Sequence, residues 1–238
     1  MRAGLIATAC ALALVGCRQG EQAGRVDPAQ HSAFYLWAGV DPGANLARAQ
    51  ELYILDGEVR REQPDRFVAL HPQVPRLSDK KLWLVVRTQT LDWGPAVQAA
   101  IRRDLDRWAA ANPRFEGLQI DFDASTARLD GYATFLKQQR AMLPPRYKLS
   151  ITGLMDWSAN ADPAALAQLV GTIDEVVVQS YQARATIPGY AAYLDRLARV
   201  PVPHKVALVE GGEWVEPPAL RRDPLFRGYV VFLLKPGK

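Results

Sequence analysis

Eight short, almost uninterrupted apolar runs punctuate this chain from residue 33 onward, each followed by a polar turn. They occupy 33–40, 51–59, 81–90, 117–123, 148–156, 174–182, 205–210 and 228–234. Runs this short, rich in Val, Ile, Leu and aromatics and with little alternation, are the pattern of strands buried on both faces. Such strands must be parallel and covered by connecting helices, which restricts the architecture sharply.

The connections fit that demand best in the middle of the chain. Val97, Ile101, Leu105 and Trp108 recur at helical spacing within 95–111, behind Pro95, which suits a first helical turn. A second helix over 126–143 carries Leu129, Tyr132, Phe135, Leu136 and Met142 and is stopped by Pro144-Pro145. Asp162 before Pro163 caps a third helix, 164–170, and 189–200 supplies a fourth, closed by Pro201. The early crossovers are weaker. Residues 41–50 allow a turn or two of helix, and 64–79 hold three prolines and no helical period. No helix is visible after the eighth run. The expectation is an α/β fold, a (β/α)8 TIM barrel somewhat reduced, with short early crossovers and no clear final helix. The alternative, an open doubly wound sheet, lacks a Gly-rich fingerprint after its first strand.

The N-terminus is of another kind. Arg2 precedes an apolar stretch from Leu5 to Val15, too short to span a bilayer, and Leu14-Val15-Gly16-Cys17 ends it. That tetrapeptide resembles the lipobox of bacterial lipoproteins. The resemblance implies a signal over 1–16, a lipid on Cys17 and, with Arg18 next in line, a membrane partnership at the outer membrane of the cell envelope. Residues 17–31 read as a flexible tether, and 32–238 as one barrel domain. With 1–16 removed, Cys10 goes too, so neither a disulfide nor a thiolate zinc site is expected. His31, His71 and His204 match no ligand spacing and read as surface or loop residues. No metal or cofactor is implied. The mature chain keeps 28 basic against 25 acidic residues, a net +3, which makes no case for nucleic acid. Nothing in the sequence sets the oligomeric state.

In a barrel of this kind chemistry gathers where the strands end. Those ends are polar: Trp37, Asp56, Arg87 and Gln89, Asp121 and Asp123, Asp156 and Trp157, Gln179 and Tyr181, then Glu210, Glu213 and Trp214. The fourth run is the sharpest, Phe115-Glu116-Gly117-Leu118-Gln119-Ile120-Asp121-Phe122-Asp123. Strand alternation turns Leu118, Ile120 and Phe122 to the helices and Gln119, Asp121 and Asp123 to the lumen. Two carboxyls side by side in a lumen imply that at least one keeps its proton to a raised pH. A protonated carboxyl beside an ionised one is what acid-assisted glycosidic cleavage requires.

The segment resembles the strand-four signature of chitinase-type glycoside hydrolases, Asp-Gly-x-Asp-x-Asp-x-Glu. Glu116 and Gly117 take its first two places, Gln119 and Asp121 the inner aspartates, and Asp123 the terminal glutamate. The resemblance implies that Asp123 is the general acid, that Asp121 orients an acetamido group, and that Tyr181 of Gln179-Ser180-Tyr181 contacts it. Asp123 is one methylene shorter than that glutamate, Gln119 is uncharged, and the eighth strand has no tryptophan. From about Phe34 onward the chain also resembles an uncharacterised family of bacterial lipoproteins, domain of unknown function 3142. Its motifs here are Tyr53-Ile54-Leu55-Asp56-Gly57-Glu58-Val59, Val86-Arg87, Gln-Ile-Asp-Phe-Asp and Gln179-Ser180-Tyr181.

The expected ligand is a carbohydrate, met by Asp123, Asp121 and Tyr181, with Trp37, Asp56, Arg87, Gln119, Asp156, Trp157, Gln179, Glu210 and Trp214 around it. Trp83 and Trp108 are assigned to the core. Four alternatives stay open. Asp123 pairs with Glu210 or Glu213 as nucleophile; the mouth carboxylates serve only structure, neutralised by Arg87; the protein binds glycan without cleaving it; or it is an envelope scaffold.

Overall fold

A computed structural model describes residues 24–71 and 73–235. The expected signal 1–16 and Cys17 lie outside the described residues. All eight expected strands form. They are β1 (Ala33–Leu36), β2 (Glu51–Arg60), β3 (Lys81–Thr88), β4 (Phe115–Asp121), β5 (Lys148–Leu154), β6 (Glu175–Gln179), β7 (His204–Val209) and β8 (Phe226–Phe232). Each pairs in parallel with the next, and β8 pairs with β1, so the sheet closes into an eight-stranded barrel.

Two apolar layers follow from the pleat. Inward residues such as Tyr35, Tyr53, Leu55, Trp83, Val85, Val177, Ala207 and Val230 fill the lumen. Outward residues such as Phe34, Leu52, Leu84, Leu118, Ile120 and Ile151 pack beneath the helices. Helix α1 (Pro95–Ala111) buries Val97, Ile101, Leu105 and Trp108. Helix α2 (Leu129–Met142) buries Leu129, Tyr132, Phe135 and Leu136, and stops where Leu143 turns extended ahead of Pro144. Burial of each such side chain contributes roughly 1.5–3 kcal/mol. The remaining crossovers hold only short helices, Asn45–Arg48, Trp157–Asn160, Pro163–Ala167 and Tyr190–Leu194. Among the described residues no helix follows β8, and none is long and apolar enough to cross a membrane.

The structure departs from the expectation in three places. The three-proline stretch contains an antiparallel strand, Gln63–Ala69, which folds back on β2 along Gly57–Arg60. Pro64 is tolerated because this is an edge strand with a register shift beside it. Gly57 permits the close pass: a Cβ there would lie 2.4 Å from Phe67 Cζ. Second, residues 24–26 of the expected 17–31 tether are held against the barrel. Gly24–Arg25 pairs with Glu213–Trp214, and Val26 is buried and bonded to Gly211 and Gly212. Third, His204 is neither on the surface nor in a loop: it is fully buried on β7, with Nδ1 3.0 Å from Val202 O and Nε2 3.1 Å from Asp223 Oδ2.

The end of the barrel opposite the strand C-termini is plugged by charge. Lys205 Nζ lies 2.7 Å from Glu51 Oε2 and 3.0 Å from Glu175 Oε2, and donates to the Tyr53 hydroxyl at 2.8 Å. Tyr53 donates to Glu175 at 2.7 Å, and Trp83 Nε1 to Glu51 at 2.7 Å. Among the described residues, the plug closes the lumen at this end, and a cleft opens at the other rim.

Candidate functional site

At that open rim lies a cleft of about 230 Å³, lined by residues of seven barrel strands or the loops just beyond them. This is below the roughly 300–1,000 Å³ of drug-sized pockets. A second lobe of about 410 Å³ adjoins it and shares Asp123, Gln179 and Tyr181. Together they make a groove across the mouth.

One wall is aromatic. Tyr35 and Trp37 come from the end of β1, Phe232 from the end of β8, and Tyr181 from just beyond β6. Trp37 meets Phe232 edge to face at 5.5 Å, and Tyr181 lies 5.4 Å from Phe232. Burial, with Asp121 and Asp123 nearby, raises the Tyr181 hydroxyl pKa, so it stays protonated as a donor. Tyr35 Oη, also protonated, is buried at the cleft floor beside the Gln119 side chain.

The facing wall is charged. Gln119 and Asp121 follow one another on the inward side of β4, and Asp123 stands exposed two residues on. Asp121 Oδ1 accepts from Thr152 Oγ1 at 2.9 Å, while Oδ2 lies 4.0 Å from Arg87 Nε. Burial pushes the Asp121 carboxyl up to about 6, against the pull of Thr152 and Arg87 and with the help of Asp123. Gln179 Nε2 is spent on Tyr181 O at 2.9 Å, which fixes the strand-six corner.

The cleft thus brings together Asp121, Asp123, Tyr181, Trp37, Arg87 and Gln179. Asp156 joins in the second lobe, its carboxyl raised by burial and its Oδ1 unpartnered. The other expected ligand contacts lie elsewhere. Gln119 is sealed beneath the cleft, donating to Ser150 Oγ at 2.9 Å. Asp56 is displaced by a bulge between Leu55 and Gly57 and is buried near Asp104 and Trp108 of α1, its carboxyl raised to about 7 by burial. Trp157 is 1% exposed and packs outside the barrel, its Nε1 donating to Ala124 O. Trp214 stacks on Tyr190 at 4.7 Å, against the outer wall. Glu210 caps the end of β8, accepting from Leu234 N at 2.8 Å. Neither Glu210 nor Glu213 lines the cleft, so the alternative pairing of Asp123 with a strand-seven nucleophile has no geometric support. Tyr35, Thr152 and Phe232 were missed, although each shares the inward parity of a neighbour: Trp37, Ser150 and Val230.

The barrel is similar in fold to several solved structures. The Bacillus cereus spore cortex-lytic enzyme SleL superposes with a TM-score of 0.52 at 15% identity, over 75% of this chain and 50% of that one. This chain therefore spans half the length of SleL. The chitinase domain of the Clostridium difficile spore coat protein CotE gives 0.52 at 12% identity, over 90% of this chain and 74% of that domain. The xylanase and α-amylase inhibitor protein XAIP-I, solved with trehalose, gives 0.52 at 11% identity, over 85% and 93%. These likenesses establish the fold. No curated protein matches the sequence. Residues 84–189, the stretch that holds Arg87, Asp121, Asp123 and Tyr181, match the family model described as Domain of unknown function (DUF3142).

Proposed function

We propose that this protein takes a glycan into the mouth of its barrel and cleaves it with acid assistance from the strand-four carboxyls. The observation that carries this is one cleft with an aromatic wall on one side and Asp121 and Asp123 on the other. Aromatic faces receive the apolar face of a sugar ring. Asp121, with its carboxyl near 6, holds a proton where an exposed aspartate does not, and suits protonation of a glycosidic oxygen. Asp123 stands exposed beside it at the cleft. This exchanges the roles implied by the chitinase-type signature, for a physical reason: the recessed group is the one that keeps its proton. Tyr181 and Trp37 position the ring. A lipid on Cys17, holding the barrel to an envelope membrane, belongs to the same proposal.

A second reading, binding without cleavage, is favoured by Gln119. It stands where the signature has a carboxylate and is committed to Ser150. A glycan array with the mature domain, followed by product analysis on every bound glycan, separates the two. Cleavage that falls at least 100-fold in Asp121→Asn, with binding kept, supports the hydrolase. Binding with no product from the wild type supports the second reading. Equal signal from the wild type and the Asp121→Ala/Asp123→Ala double variant places the site elsewhere.

A further inference from the structure

Arg87 is the only cation among the described residues that line the cleft. It ends the inward series Trp83, Val85, Arg87 on β3, and register places Glu58 of β2 on one side of it and Asp121 of β4 on the other. Neither acid hydrogen-bonds it, although Asp121 pairs with it at the outer edge of ion-pair range. Glu58 is bonded to Arg60. Asp121 accepts from Thr152 and stays 4.0 Å from Arg87 Nε, beyond hydrogen-bond range. Half of the Arg87 side chain, 51%, remains exposed. Its five N–H donors are thus left to the cleft.

We infer that the glycan this cleft selects carries a carboxylate on its sugar, received by the Arg87 guanidinium. The inference rests on the glycan reading given above and names the substrate class within it. A guanidinium fork matches the two coplanar oxygens of a carboxylate and bonds them in parallel. A neutral sugar covering Arg87 would desolvate the cation and return only hydroxyls, whereas a desolvated charge requires a counter-charge. The rim adds to the attraction. Lys235 Nζ would sit 2.9 Å from a Cβ on Gly39, two residues beyond Trp37. Arg184 follows the cleft residue Ala183 and donates to Lys235 O at 3.4 Å.

The acids in the cleft oppose an anion, and this gives the binding a pH signature. The charged or titratable groups around Asp121 are Arg87, Asp123, Tyr181, Tyr132 and Tyr35, and the tyrosines stay neutral. As pH falls through about 6, Asp121 takes up its proton. A sugar carboxylate with a pKa of about 3.5 stays ionised there. Affinity for the acidic glycan therefore rises toward pH 5.

The test is calorimetry with oligogalacturonate, hyaluronan fragments and peptide-free peptidoglycan strands, each beside its carboxyl-reduced counterpart, and with neutral chito-oligosaccharides. The expected result is that at least one acidic glycan binds 10-fold or more tighter than its reduced form. Salt should shrink that preference, Arg87→Gln should abolish it, and Arg87→Lys should keep part of it. Equal affinity for reduced and acidic forms, or a preference that survives Arg87→Gln, overturns the inference and leaves the glycan reading standing. If no glycan of either kind binds, the glycan reading itself fails and the inference with it.

Discussion

Asp56 and Asp121 are the same side chain on nearby strands, and the local pleat sends them to different places. Asp121 keeps the inward parity of β4 and reaches the cleft. Asp56 sits at the bulge in β2 and is turned outward, 2% exposed, with Oδ2 unpartnered. The outward parity of Asp121's neighbours could be read from the alternating residues. The bulge was passed over, although Gly57 inside the run is the kind of residue that marks one. Both carboxyls are raised, to about 7 and about 6, so both favour the folded state when protonated. That contribution is full below the unfolded value near 4 and is lost as pH rises through the folded values. The expected outcome is a contribution from these two carboxyls that declines between about pH 4 and pH 8, against the opposite trend of the lowered His31 and His71. Asp56→Asn should recover on the order of 3 kcal/mol at pH 8 in denaturant titrations and leave glycan binding unchanged. An unchanged or lowered stability at pH 8 would refute the assignment.

At the scale of elements, strands buried on both faces were the most legible feature. Their composition is set by burial alone, and all eight runs became strands. Helix α1 was equally plain, because its stripe, its proline and its flanks agree. Elements held by contacts distant in sequence were not legible. The strand Gln63–Ala69 alternates weakly and carries Pro64, and it exists because the upper part of β2 offers an unpaired edge. Trp157 and Trp214 follow their strands, but their indoles turn outward to the core and to Tyr190. Gly117, which the motif comparison treated only as a signature position, has a packing role: a Cβ there would lie 2.1 Å from Lys148 O on β5. Side-chain growth would thus force β4 and β5 apart at the plugged end of the barrel, opposite the site. Gly117→Ala should cost about 3 kcal/mol or more, seen as a lowered melting temperature with early exchange of β5 amides. A variant as stable as the wild type would refute this close approach.

At the scale of the molecule, a charged plug closes one end of the lumen and an unfilled, polar, aromatic-sided mouth opens the other. The match to the family model spans 84–189, which covers the carboxylate and Arg87 strands but not the β1 and β8 aromatics that complete the cleft. The N-terminal stretch also has a consequence for how the molecule is presented. Gly24–Arg25 is stitched to Glu213–Trp214, in the loop that leaves the mouth end of β7. Six residues lie between that stitch and Cys17, and the seven steps span about 25 Å at full extension. With the proposed acyl chains in place, Cys17→Ser should shift the protein from the detergent to the aqueous phase in phase partitioning; an unchanged distribution would remove the anchor from the proposal. Were Cys17 to carry the proposed lipid, a leash this brief, fastened on the mouth side, would not hand the barrel to substrates far out in the surrounding space. It would keep the opening skimming just above the lipid, grazing on whatever polymer lies there.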